Sequence, residues 1–337
     1  MNSTLEARSF RSIAVHAGQI PAFLAGNSVL DVCVNPDGSL WVNRLGKGFA
    51  KEGEIAAADS ALLLSGIATV RDLNLNERSP ILETIFPLTG DRIEGLVPPV
   101  VTAPAFAIRT RQKQLYELQE MVDLGILTDK DDALNQKRHR NDFLDRAPGL
   151  SHVEVLKLAT KYRRNVLLVG PTGSGKTTFA NSLIDDWRKQ TPGDRVVMIE
   201  DTPELQCSLP NYVQLLATRA ITQADLLVAA LRLIPKRLVV GEVREPEPAK
   251  VLLSAWNTGH SGGLATIHAD DGLAALRKLE SLVGVHDRSA RERIAAAVGL
   301  VVFIDGDDRI PAGRKVREVI VVQGFDPVRQ DYQLLYV

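Results

Sequence analysis

One stretch limits what this chain can fold into more than any other: Val166-Leu-Leu-Val-Gly-Pro-Thr-Gly-Ser-Gly-Lys-Thr-Thr178. It reads as a short buried strand, a glycine-rich loop and the first turn of a helix. Gly170, Gly175, Lys176 and Thr177 occupy every fixed position of the phosphate-loop pattern G-x-x-x-x-G-K-[ST]. Glycines at 170, 173 and 175 let the backbone curl, so that successive N–H groups point inward at an anion. The helix adds its free N–H groups and positive dipole end. Lys176 brings a compact charge for the β/γ-phosphates, and the Thr177 hydroxyl can ligate Mg²⁺. Pro171, Thr172, Ser174 and Thr178 complete the predicted cradle. A glycine-rich turn arising by chance would not be expected between a strand and a helix. The expected ligands are therefore ATP and Mg²⁺.

A phosphate loop alone does not predict hydrolysis, but three downstream constellations speak to it. Leu238-Val-Val-Gly-Glu242 is an apolar strand ending in a carboxylate. In a phosphate-loop fold such a strand end faces the metal and the γ-phosphate, so Glu242 is predicted to hold Mg²⁺ with Thr177. Ile199-Glu-Asp-Thr-Pro-Glu204 is a second strand end with carboxylates. There Glu200 is the candidate to position or deprotonate the attacking water, with Asp201 an ordinary turn residue. Thr258-Gly-His-Ser-Gly-Gly-Leu-Ala-Thr-Ile-His268 holds two of the chain's six histidines. His268 ends a strand, where it could hydrogen-bond the γ-phosphate. The two histidines straddle a loop and a strand and lack helical ligand spacing, which disfavours a metal site.

The 337 residues are enough for about two domains. Forty Lys and Arg against 41 Asp and Glu leave a net charge of -1, so obligate or sequence-specific nucleic-acid binding is not suggested. Cys33 and Cys207, the only cysteines, cannot build a four-thiolate zinc site and read as reduced thiols. No apolar run approaches the roughly 18 residues of a membrane span. Residues 1–11 lack the apolar centre of a signal peptide. A cytoplasmic protein able to dock on a membrane complex is expected.

In chain order, Phe10, Ile13 and Ala14 predict a short packing helix. Val29–Val34 and Leu40–Arg44 form a predicted hairpin around Asn35-Pro-Asp-Gly38. Glu54–Leu73 has helical spacing. Ile81–Phe86 and Asp91–Val97 predict a second hairpin, and Ala105–Arg109 another strand. Gln112–Leu124 is helical by pattern. Asp129–Arg146 is charged in both signs and poor in apolar residues, which predicts a solvated linker. From Val153 onward helices and strands alternate, ending in an antiparallel pair, Val316–Gln323 with Tyr332–Val337. The fold class expected is α/β: a sheet covered by helices on both faces. The domain reading is an α+β domain over 1–111, a linker helix and charged linker over 112–150, and an ATPase domain over 151–337.

With these motifs in hand, the chain resembles the secretion-superfamily ATPases of type IV secretion, conjugation and type IV pili, particularly the Trb-type conjugal transfer ATPases and their VirB-type relatives. Gly170–Thr178 resembles the family's Walker A, and Glu200-Asp-Thr-Pro-Glu-Leu-Gln206 its Asp box. Val239-Val-Gly-Glu-Val-Arg244 resembles Walker B, and Ala255–Ala269 the His box. Asn35–Val42 and Arg92–Pro99 resemble Trb-type N-terminal segments. The resemblance implies a RecA-like ATPase domain preceded by a small α+β domain. It assigns catalytic carboxylates to Glu242 and Glu200 and a γ-phosphate contact to His268. Arg92, Arg109 and Arg111 match N-terminal arginines that reach the phosphates. It further implies a homohexamer at the inner face of the inner membrane, working with inner-membrane secretion components such as a coupling protein or other ATPases. Leu233-Ile-Pro-Lys-Arg237 and Glu245-Pro-Glu-Pro248 depart from the family's usual runs beside Walker B, but neither removes a catalytic group. Two alternatives stay open. One is a type IV pilus or type II secretion motor, although the type II proteins' four-cysteine zinc module has no counterpart here. The other is a docking scaffold that binds ATP with little turnover.

Overall fold

The structure is a computed structural model of the chain. It describes residues 3–111, 115–127, 136–284 and 289–337, with only the backbone described for 3–7 and 136–139. Two compact units emerge. The first comprises Met1–Leu127, Gly193–Val197 and Asn211–Pro235; the second comprises Thr128–Pro192, Met198–Pro210 and Lys236–Val337.

The first unit is built on six antiparallel strands. These are β1 (Val29–Val34), β2 (Ser39–Arg44), β3 (Gly48–Glu54), β4 (Ile81–Ile85), β5 (Arg92–Leu96) and β6 (Ala105–Arg109), in the order β3-β2-β1-β6-β5-β4. The predicted first turn forms: Asp37 Oδ1 accepts from the Ser39 N–H at 2.9 Å. Gly38 sits at φ +82°, where a Cβ would lie 2.8 Å from the Ile55 carbonyl. Period-two alternation divides the sheet. Val32, Val34, Leu40, Val42, Leu82, Ile93, Phe106 and Ile108 face a core completed by Ile13, Leu63, Leu64 and Ile67. Those last four come from α1 (Ser3–His16) and α3 (Ala57–Val70); α2 (Ile20–Ala25) adds Ile20 and Leu24. The opposite face carries Asp31, Glu83, Arg92, Glu94 and Arg109. Strand β3 was not expected. Its sequence, GFAKEGE, has no apolar alternation because it is an exposed edge strand, and its charges discourage pairing with another chain. It takes up the first residue of the predicted helix 54–73.

The predicted helix over 112–124 shortens to α4 (Leu118–Asp123), closed by a capping box between Glu117 and Glu120; residues 112–114 lie outside the described residues. The expectation of a solvated linker over 129–146 is corrected for residues 136–146. Residues 129–135 lie outside the described residues, but Gln136–Arg146 is a helix, α5. Phe143 on α5 is fully buried. Its ring lies 6.5 Å from that of Tyr162, with the Arg164 guanidinium 5.7 Å away. Arg140 donates to the carbonyls of Ala295 and Gln323, both at 3.1 Å. One aromatic anchor holds a helix whose polar composition conceals it.

The remaining helices are α6 (His152–Lys161), α7 (Lys176–Gln190), α8 (Gln223–Arg232), α9 (Pro246–Asn257), α10 (Gly272–Val283) and α11 (Ala290–Ala297). The remaining strands are β7 (Asn165–Val169), β8 (Val196–Glu200), β9 (Tyr212–Leu216), β10 (Arg237–Val240), β11 (Leu264–Ile267), β12 (Val298–Gly306), β13 (Arg314–Asp326) and β14 (Asp331–Tyr336). They form an eight-stranded sheet in the order β14-β13-β12-β7-β11-β10-β8-β9. β7 lies parallel to both β11 and β12, and β10 is parallel to β11, while β12-β13-β14 close antiparallel. The α/β expectation holds. β9 and α11 were not foreseen. Every residue of β7 is buried, as a central parallel strand requires. Ligands of open α/β sheets bind outside the carboxyl ends of the strands, and the predicted motifs lie there.

Candidate active site

The loop between β7 and α7 curls as its glycines allow. A Cβ on Gly170 would lie 2.1 Å from the Ile304 carbonyl, on neighbouring β12. Gly175 caps α7 at φ +95°, a conformation that a side chain would strain. The Ser174 hydroxyl is buried and has no hydrogen-bond partner among the described residues. A buried orphan hydroxyl, two glycines with no room for a Cβ and the unpaired N–H groups at the start of α7 fit an anion that the loop would wrap.

Lys176 is nearly buried, and its ammonium donates to the carbonyls of Gly170 at 2.7 Å and Pro171 at 2.8 Å. Burial lowers its pKa, an effect that the charges of Glu242 and Glu204 oppose. Its Nζ also lies 3.4 Å from His268 Nδ1, while His268 Nε2 lies 3.4 Å from Glu242 Oε1. An ammonium only donates, so this geometry fits the tautomer with its proton on Nε2. Lys176, His268 and Glu242 thus form one chain of contacts. The Lys278 ammonium holds the His268 carbonyl at 2.8 Å.

Thr177 Oγ1 donates to Glu204 Oε2 at 2.9 Å. Glu200 is buried, and its Oε1 accepts from the backbone N–H groups of Glu204 at 2.9 Å and Leu205 at 2.8 Å. This carboxylate therefore shapes the 201–205 loop and sets Glu204 against Thr177. Asp201 pairs with Arg244 at 2.5 Å. These groups line a cavity of about 480 Å³ that also takes in Gly173, Thr266 and Arg314.

The structure thus gathers Lys176, Thr177, Glu200, Glu242 and His268 with the loop residues in the second unit. Arg92 and Arg109 lie in the first unit. They are cross-strand partners on β5 and β6 and line a cavity of about 560 Å³ with Glu83, Glu94 and Arg232. Arg109 lies 3.8 Å from Asp31, and the Arg111 backbone N–H donates to Asp91 at 2.8 Å.

No group of three or more His, Cys, Asp or Glu among the described residues is arranged to hold a metal. Magnesium does not require one, because it is usually held by one or two carboxylates plus substrate phosphates. Thr177 and Glu242 line the same cavity and fit that habit. Burial pushes the thiols of Cys33 and Cys207 up to about 11, so neither is a nucleophile at neutral pH. Sequence reasoning missed Glu204, Arg244, Thr266 and Arg314 as cavity groups, and Lys278 as the lysine that holds the His268 carbonyl. Glu204 and Arg244 lay inside recognised motifs. Arg314 begins an antiparallel strand far along the chain and carried no local signal.

Residues 149–304 match the family model described as "Type II/IV secretion system protein". A probable conjugal transfer protein TrbB of Sinorhizobium fredii is 37% identical over 308 residues, which cover 91% of this chain and 87% of that protein. The chain belongs to the type II/IV secretion system protein family. A conjugal transfer protein TrbB of Rhizobium radiobacter is 36% identical, covering 91% of this chain and 88% of that one. The type IV secretion system protein VirB11 of Bartonella quintana is 26% identical over 360 residues and 98% of both chains. The crystal structure of the VirB11 ATPase from the Brucella suis type IV secretion system, in complex with sulphate, superposes with a TM-score of 0.80. It is 24% identical and covers 93% of this chain and 95% of that one, and it supports the fold.

Proposed function

We propose that this chain is an Mg²⁺-dependent ATPase that assembles as a homohexamer at the cytoplasmic face of the inner membrane and powers conjugative DNA transfer or type IV secretion, including pilus assembly. The observation that carries the reading is the cavity joining the phosphate loop to Glu242 and His268, in a chain that aligns with conjugal transfer proteins over 91% of its length. The partners proposed are inner-membrane components of the secretion complex, reached by peripheral association. Among the described residues no helix is long and apolar enough to cross a membrane.

In this mechanism Lys176 leaves the Gly170 and Pro171 carbonyls for the β/γ-phosphates. Thr177 leaves Glu204, and with Glu242 it would hold the metal. When bound, Mg²⁺ supplies charge neutralisation at the β- and γ-phosphate oxygens. Glu242 also aligns the attacking water, and His268 donates its Nε2 proton toward the γ-phosphate. Glu200 keeps the 201–205 loop in place, and its carboxylate is the group proposed to position or deprotonate the attacking water. Arg92 and Arg109 add positive charge at the γ-phosphate, the role that the family resemblance assigns them.

The test is Glu242→Gln in purified protein. The substitution preserves shape and removes the charge that serves the metal and the water. ATP affinity should hold within a few-fold while phosphate release collapses by about two orders of magnitude or more. A fall in ATP affinity as steep as the fall in turnover would make Glu242 a binding or folding residue and overturn the mechanism.

A further inference from the structure

The β12–β13 hairpin reaches the phosphate loop from the side opposite β11. β12 runs parallel to β7 from Val298 to Phe303, which brings the Ile304 carbonyl against Gly170. After the hairpin tip, β13 opens at Arg314, paired with Gly306. The Arg314 side chain crosses the end of the loop. Its Nη1 donates to Thr178 Oγ1 at 3.0 Å, and a Cβ on Gly175 would lie 2.5 Å from its Cδ. Among the described residues it has no carboxylate partner, and one of its five N–H donors is committed to a hydroxyl. An uncompensated guanidinium lies over the mouth of an anion cradle.

The hairpin tip is tied down. Asp307 is nearly buried and accepts from the Arg309 backbone N–H at 3.1 Å, Nε at 2.8 Å and Nη2 at 3.0 Å. It also pairs with Arg317 at 3.1 Å, and Arg317 Nη2 donates to the Gly306 carbonyl at 2.9 Å. The Asp307 N–H closes the tip on the Gly313 carbonyl at 3.0 Å. These bonds fix the strand start that carries Arg314, so its guanidinium is pre-positioned by the hairpin.

Resting on the nucleotide-site reading, we infer that Arg314 is a nucleotide-binding residue that, with Thr178, grips the α-phosphate. The order along the loop gives the assignment. Lys176 serves the β/γ-phosphates and Thr177 the metal between them. Thr178 is one residue further into α7, and the phosphate left for its hydroxyl and for the N–H groups beside it is the α-phosphate. An arginine suits that task because its planar fork bonds two phosphate oxygens and keeps its charge at all working pH values. The contact is common to ADP and ATP, which separates it from any group that reads the γ-phosphate.

Equilibrium binding of fluorescent ADP and of ATP to full-length wild-type, Arg314→Ala and Arg314→Lys protein, with and without Mg²⁺, tests this. A charge-assisted hydrogen bond contributes about 1.5–3 kcal/mol, so Arg314→Ala should raise both dissociation constants by roughly 10–100-fold. The losses should match for ADP and ATP and persist without Mg²⁺. Arg314→Lys, which keeps the charge without the fork, should recover part of the loss. Unchanged far-ultraviolet circular dichroism and melting temperature show that the variants are folded. Arg314→Ala affinities within twofold of wild type would overturn the inference and leave the nucleotide site standing. A loss confined to ATP would make Arg314 a γ-phosphate group and overturn it too. Failure of the wild-type chain to bind either nucleotide would sink the nucleotide-site reading itself, and this inference with it.

Discussion

Glu94 allows the packing of the first unit to be tested as a dependence of stability on pH. It lies on β5, on the sheet face opposite the core, only 2% exposed, and neither carboxyl oxygen has a hydrogen-bond partner among the described residues. The charged groups sharing its cavity are Glu83, Arg92, Arg109 and Arg232. Burial pushes its carboxyl from 4.5 up to about 8; the Arg232 charge opposes that rise and the Glu83 charge adds to it. Raised this way, the group binds its proton more tightly in the folded chain than in the unfolded one. Its contribution is therefore fully present below about pH 4.5 and is lost as pH climbs towards and through about 8, the opposite sign to a salt-bridged carboxylate.

At about 1.36 kcal/mol per unit, the difference between 4.5 and about 8 amounts to about 5 kcal/mol on full ionisation. Roughly 4 kcal/mol of that falls between pH 5 and pH 9 by the linkage integral. This is a ceiling, because local opening that admits water caps it. Glu94→Gln keeps the volume and stays neutral throughout. Urea unfolding at pH 5, 7 and 9 should show wild-type stability falling away from that of the glutamine variant by a few kcal/mol over this range. Parallel profiles for the two proteins would refute the reasoning. The consequence reaches the proposed chemistry: at neutral pH Glu94 is mostly protonated, so it does not neutralise Arg92 and Arg109 on the same sheet face.

Two further outcomes follow from particular contacts. His268→Ala removes the group between Lys176 and Glu242; turnover should fall about tenfold or more while ADP affinity changes little, measured by phosphate release and ADP titration, and equal losses of ADP and ATP affinity would make it a structural histidine. Phe143→Ala empties the one aromatic anchor of α5 and should cost about 3–5 kcal/mol, read from urea midpoints; a change under about 1 kcal/mol would return residues 136–146 to a loosely held linker.

What the sequence disclosed, and what it concealed, divides by how far apart in the chain the cooperating residues lie. The phosphate loop is legible because its chemistry is consecutive: glycines, lysine and threonine must follow one another for a backbone to wrap an anion. Glu242 and His268 are nearly as legible, because each ends an apolar run, and the ends of neighbouring parallel strands emerge at one edge. Helix α5 was hidden because a single Phe143 among charged residues makes no periodic signal, yet one fully buried ring anchors a short helix. The segments 193–197 and 211–235 join the compact unit of residues 1–127, and no linear boundary expresses that. Arg314 lies 136 residues from the hydroxyl it holds, and only the pairing of β12 with β7 and of β13 with β12 brings it there. Chemistry that depends on consecutive residues can be read from the chain, whereas chemistry that depends on sheet order has to be read from the fold. The least legible group at this site is thus one that the hairpin delivers, and Arg314→Ala asks whether that delivery matters for binding.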